Sequence, residues 1–224
     1  MKNFIIFLIF INNLFSLEKY KEENILSIWN VEEKKLKLVE HRKLKGLEQL
    51  NNLKFHDELW KIISEFYPED VINRIDKFVV FSDNNKNNRN GMSGLIESVD
   101  GTNNSRFILS VDIADAYYGN KISLEVFLNL LVHEFFHLVS LNDTQISPNY
   151  TKGVKIYEGY TYESSYINKF YEKFWNNSLG KRLEMLELNS KLSFAQKETI
   201  REELYKYNQD KFIDTYAMTN MVED

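Results

Sequence analysis

His133, Glu134 and His137 have the residue types and the spacing to hold a metal ion and to activate water beside it. An α-helix turns once in 3.6 residues, so imidazoles at i and i+4 share a face and can bind one cation from the same side. A carboxylate next to the first imidazole then lies beside a water whose pKa zinc lowers to roughly 7, and it can serve as general base. The chemistry expected is zinc-assisted hydrolysis of a peptide bond. Chance placement of two of the four histidines is the bland alternative, and the surrounding residues argue against it.

The element that must carry the motif is legible upstream of it. From Leu124 to Leu138 the apolar residues fall at 124, 127, 128, 131, 135 and 138, which is helical spacing, and Ser123 is placed to cap the helix. A helix with this apolar face has little structural reason to carry His, Glu and His within two turns.

Catalytic zinc sites use three protein ligands and leave a position for water, so the two histidines need one more donor. His41 and His56 lie far upstream in charged, helical surroundings and read as solvated surface groups. Two downstream carboxylates remain: Glu158, between Tyr157 and Gly159, and Glu223, at the end of the run from Tyr216. Spacing alone leaves both open.

The rest of the chain reads as a small sheet followed by helices. Strands are expected over 25–31, 36–39, 78–81, 94–99 and 107–111, where β-branched and aromatic residues cluster. One or two helices are expected over 47–66, ending before Pro68, and a short one over 69–75. Further helices are expected near 163–178, 180–190 and 194–209, with 140–155 a loop beside the second histidine. Asp112 and Asp115, after the last strand, suit a turn. The polar segment 82–91 reads as a surface loop: Asp83, Asn85 and Asn87 alternate like a calcium loop, but Asn88 and Gly94 stand where that loop needs Gly and Glu. The pattern is α+β, with helices segregated from a small mixed sheet.

With 224 residues, 43% of them hydrophobic, the chain can bury one sizeable core. A net charge of -5 argues against nucleic acid as partner, since phosphate binding needs clustered Lys and Arg. Residues 1–16 begin with a charge, continue through an apolar core and reach Ser16 before polar sequence, the pattern of a secretory signal. The apolar run is broken at Asn12 and Asn13 and is shorter than the roughly 20 residues a membrane span needs. Export without a lasting membrane span is therefore expected. There is no cysteine, so no disulfide holds the fold. The expected division is a signal at 1–16, a strand and helix segment at 17–75 and a catalytic domain at 76–224.

His133 to Gln145, Ser165 to Trp175, and Phe212 to Asn220 with Glu223 and Asp224 together resemble a family of secreted bacterial zinc metallopeptidases. The resemblance spans roughly residues 78 to 224 and extends, more distantly, to the catalytic domain of anthrax lethal factor. It implies a zincin-like fold in which a small mixed sheet precedes the active-site helix and a mostly helical C-terminal part follows. In that family a Tyr-x-x-Thr-Asn-x-x-Glu segment supplies a tyrosine near the metal and the third zinc ligand, positions that Tyr216 and Glu223 match. Glu158 stands at the distance a thermolysin-like or aminopeptidase-like enzyme would use, so it is the alternative third ligand. By analogy with the same fold, the strand 107–111 would offer its edge to an extended peptide.

The resemblance thus implies a secreted or periplasmic zinc peptidase acting on peptide or protein substrates. Glu134 is its general base and Tyr216 the donor to the oxyanion. Relatives continue past the Glu-Asp pair into further helix, whereas this chain stops at Asp224. A missing terminal helix or a weakened metal site is expected from that, and with it the alternative function of a degenerate, non-catalytic zincin-like binding domain at the cell surface or in the periplasm.

Overall fold

A computed structural model describes residues 22–83, 94–99, 104–156, 158–212 and 214–223. The signal-like stretch 1–16 and nearly all of the segment weighed as a calcium loop lie outside the described residues. Two compact units are present. One contains the described residues up to Val99 together with Arg106–Phe135, and the other contains Asn104, Ser105 and the residues from Phe136 onward.

The first unit is built on a five-stranded mixed sheet. Strands β1 (Ile25–Glu32), β2 (Lys35–His41), β3 (Ile75–Phe81), β4 (Gly94–Ser98) and β5 (Phe107–Asp112) lie in the order β2-β1-β3-β5-β4. The β3/β5 pair is parallel and the others are antiparallel. Glu33 and Lys34 close the first hairpin with φ of 50° and 63°, the left-handed conformation that a two-residue turn of this twist requires at both positions. Strands before and after residue 76 therefore share one sheet.

Position in the sheet explains composition. β3 is interior and buries Phe78, Val79, Val80 and Phe81 in succession, because both its faces are covered. β5 is interior as well, between β3 and β4, so the expectation that 107–111 offers a free edge is corrected: its backbone groups are paired on both sides, and β4 is the edge strand. Asp112 ends β5 and caps the short helix α3 (Ile113–Ala116), its carboxylate accepting from the backbone N–H of Ala114 at 2.7 Å.

Helix α1 (Leu53–Phe66) begins later than the apolar spacing from Leu47 suggests. Asn51 pairs its side-chain amide with both backbone groups of Leu44, and the Asn52 side chain caps the helix by accepting from Lys54 N–H. Such side chains offer the backbone an alternative to helix. α1 buries Leu59, Trp60 and Ile63, and α2 (Glu69–Ile72) follows Pro68.

His56, expected on the surface, is instead fully buried. Its Nε2 lies 2.8 Å from the carbonyl of Leu50, an acceptor only, so Nε2 carries the proton. Nδ1 then accepts from the Ser27 hydroxyl at 2.7 Å, and Ser27 in turn accepts from the Trp29 indole N–H at 2.7 Å. Burial pushes the imidazole pKa down to about 4, which keeps it neutral.

After a small hairpin of β6 (Tyr117–Tyr118) and β7 (Lys121–Ile122) comes α4 (Leu124–Ser140), the expected metal-binding helix. The carbonyl of Ser123 accepts its first hydrogen bond, from Phe127. Phe127, Leu131 and Leu138 are fully buried, which fixes the rotation of the helix about its axis. Each such side chain contributes about 1.5–3 kcal/mol by leaving water.

In the second unit, the segment expected to be loop carries a three-stranded sheet of β8 (Ile146–Ser147), β9 (Lys155–Ile156) and β10 (Gly159–Thr161), in the order β8-β10-β9. Strands of two or three residues are too short to leave a periodic signal. Gly159, with φ of 147°, adopts a backbone that a side chain would strain, and a β-carbon there would lie 2.9 Å from the carbonyl oxygen of Ser147. The expected helix 163–178 is a short α5 (Tyr166–Phe170) passing into a π-helical turn at Tyr171–Trp175, and Asn177 caps α6 (Ser178–Glu187). Helix α7 (Phe194–Lys206) completes the set.

The core of this unit joins Leu141, Ile146, Ile156, Ile167, Trp175, Leu183, Met218 and Met221. The molecule is thus α+β with a mixed sheet. Among the described residues no helix is long and apolar enough to cross a membrane.

Candidate metal centre

Helix α4 presents His133 and His137 one turn apart, and Glu223 joins them: one ligand atom from each lies within 4.8 Å of the others. The Nε2 of His137 is 3.7 Å from the Glu223 Oε2. That separation exceeds the 2.7–3.2 Å of an N–H···O hydrogen bond. Ligands about 2.0–2.2 Å from one tetrahedral zinc ion stand roughly 3.4 Å apart, so the spacing suits two donors converging on a common ion. The donor set of two imidazoles and one carboxylate is of the kind that catalytic zinc sites use. The residues present fit the ion.

The side chains are withdrawn from solvent without being sealed off. His137 and Glu223 expose 12% and 15% of their side chains, and Glu134 is 3% exposed.

How Glu223 is held follows from the residues just before it. Met218 and Met221 are buried in the core of the second unit, and Ala217 is buried as well. Between them the chain turns on polar side chains: Asp214 accepts from Ala217 N–H at 2.9 Å and Asn220 accepts from Val222 N–H at 2.8 Å. The Glu223 N–H donates to the Asn220 carbonyl at 3.2 Å. The segment is therefore packed down, which a fraying terminus would not be.

Glu158, the alternative third ligand, is outside the three-residue group. It is close enough to Glu223 for the two carboxylates to repel. Burial chiefly, and Glu223 in addition, push its pKa up. Tyr216 opens the turn that precedes the one ending at Glu223, its carbonyl accepting from Thr219 N–H at 2.8 Å, and it is 40% exposed.

Two residues have supporting roles that the sequence reading did not assign, Tyr67 and the Asn220 of the Tyr-x-x-Thr-Asn-x-x-Glu segment. Tyr67 is buried at the end of α1 and its hydroxyl donates to the Leu131 carbonyl at 2.9 Å, while its ring packs on Phe135. Burial and the nearby Glu134 both raise its pKa, so the phenol keeps its proton. No local pattern marks it, because the contact joins distant segments. Asn220 did carry a signal, an Asn two residues before the N–H it binds, but such turns are too frequent to single one out.

Comparison with known protein families, with characterised proteins and with solved structures finds no match.

Proposed function

We propose that this chain is an exported, zincin-like zinc peptidase, and the observation that carries the reading is the convergence of His133, His137 and Glu223 with Glu134 on the same helical turn. A bound zinc ion would polarise the scissile carbonyl and acidify water. Glu134 takes the proton of the attacking water and delivers it to the leaving amine. Its burial supports this role, because proton transfer is efficient when the base is held within hydrogen-bond reach and bulk water is kept away.

Tyr216 is assigned to the oxyanion that develops at the substrate carbonyl. Its partial exposure leaves the phenol accessible to a substrate, and it lies in the turn just before the one that ends at Glu223. Among the described strands β4 is the last of the sheet on the β5 side, and an extended peptide would add there in place of β5. Export rests on the signal-like composition of residues 1–16.

Elemental analysis for zinc, combined with hydrolysis of a denatured protein pool by wild type and Glu134→Gln, tests the reading. Stoichiometric zinc with cleavage that depends on Glu134 is expected. Equal cleavage by the two proteins would sink the mechanism, and zinc binding without cleavage would point to the degenerate binding domain.

A further inference from the structure

We propose that Gly94 is a positioning residue for Glu134, its missing side chain setting where the carboxylate can lie; this rests on Glu134 being the general base. Gly94 opens the edge strand β4 and pairs with Val111 of β5. It is not among the glycines with positive φ, so alanine could adopt its backbone, and the demand at this position is for space.

A β-carbon at Gly94 would lie 2.5 Å and 3.3 Å from the two methyl carbons of Leu130 and 3.0 Å from Glu134 Oε1. Non-bonded carbon atoms rest at about 3.5–4.0 Å, so something must move. Leu130 and Glu134 are i and i+4 on α4 and stand one above the other, which puts the bare backbone of β4 against that stripe. The Leu130 methyls end a flexible side chain and can rotate away. Glu134 is almost fully buried, and at 3.0 Å its carboxylate must give by a few tenths of an ångström. Misplacement of a catalytic group by about 1 Å can cost on the order of a hundredfold in rate, so a few tenths of that costs roughly 2–10-fold.

The decisive experiment is a double-mutant cycle of Gly94→Ala with Glu134→Ala on metal-free protein, run in the wild-type and Leu130→Ala backgrounds and read as thermal midpoints. We expect Gly94→Ala to lower the midpoint by about 3–6 °C, less than half of that once Glu134 is truncated, with the coupling surviving in the Leu130→Ala background. Coupling that vanishes when Leu130 is truncated would assign Gly94 to helix packing and overturn the proposal. If Gly94→Ala does not fold, rescue by Glu134→Ala supports the proposal and rescue by Leu130→Ala alone overturns it.

On the zinc-loaded enzyme, Gly94→Ala should keep its zinc and leave KM unchanged while kcat falls roughly 2–10-fold, unrestored by Leu130→Ala. A wild-type kcat would equally overturn it. Because the cycle needs no turnover, failure of the peptidase reading, seen as cleavage indifferent to Glu134→Gln, is distinguishable from failure of this one.

Discussion

Glu134 and Glu223 are both carboxylates near the same imidazoles, and their roles separate by what replacement should do. Glu134→Gln preserves shape but replaces the basic carboxylate with a neutral amide, one of its acceptors becoming a donor, so zinc content should stay at the wild-type level while kcat falls by about 10²–10⁴. A parallel loss of zinc would make Glu134 a ligand instead. Tyr216 offers a cleaner contrast between packing and catalysis. Because it is 40% exposed, Tyr216→Phe should leave the unfolding midpoint in place. If it donates to the oxyanion, kcat should fall about 10²–10³-fold with KM little changed, and an unaltered kcat would return Tyr216 to a packing role.

Elements carry the support. The turn on Asn220 aims Glu223, so Asn220→Ala removes the acceptor for Val222 N–H while leaving Met218 and Met221 buried. Zinc affinity, followed by competition with a chromophoric chelator, should weaken about 10–100-fold, as for other groups that orient ligands. Retention of wild-type affinity would mean the methionine anchors suffice. The contact of α1 with β1 makes a separate prediction. His56 has its pKa lowered from 6.5 to about 4 in the folded chain, so as pH falls the unfolded chain takes the proton first. The stability it supports is complete above pH 6.5, declines below that and is exhausted near pH 4. At about 1.36 kcal/mol per unit the total is roughly 3 kcal/mol. Urea unfolding across this range should show the decline in wild type and lose that component in His56→Leu, which should be less stable than wild type above pH 6.5, with the gap narrowing toward pH 4.

At the scale of the whole molecule, a metal that binds only the folded chain adds to its stability. Zinc at a hundredfold excess over Kd adds about 2.7 kcal/mol, which at roughly 2–4 °C per kcal/mol for a chain of this size raises the thermal midpoint by about 5–10 °C. Chelation should remove that increment, and His137→Ala should show no zinc-dependent shift. A chelator effect that persists in His137→Ala would place the metal elsewhere.

Local order was legible because it is periodic. The α4 helix, the His133–Glu134–His137 constellation on it and the five strands of the main sheet follow from residue types a few positions apart, and a period of 3.6 or 2 survives in the sequence. What depends on meeting distant segments was not. Residue spacing left Glu158 and Glu223 level as third ligand, and only the tertiary structure brings Glu223 to the histidines, on a segment whose Met218 and Met221 are buried. His56 looked solvated because its neighbours are charged, yet Ser27 and the Leu50 carbonyl satisfy it inside the first unit. Which strand forms the sheet edge, and why Gly94 has no side chain there, were set by pairing order and by the approach of β4 to Glu134. The sequence by itself determined the chemistry this protein can attempt, since side-chain type and helical spacing are local; the tertiary structure decided which groups converge to perform it, since convergence depends on how the core packs.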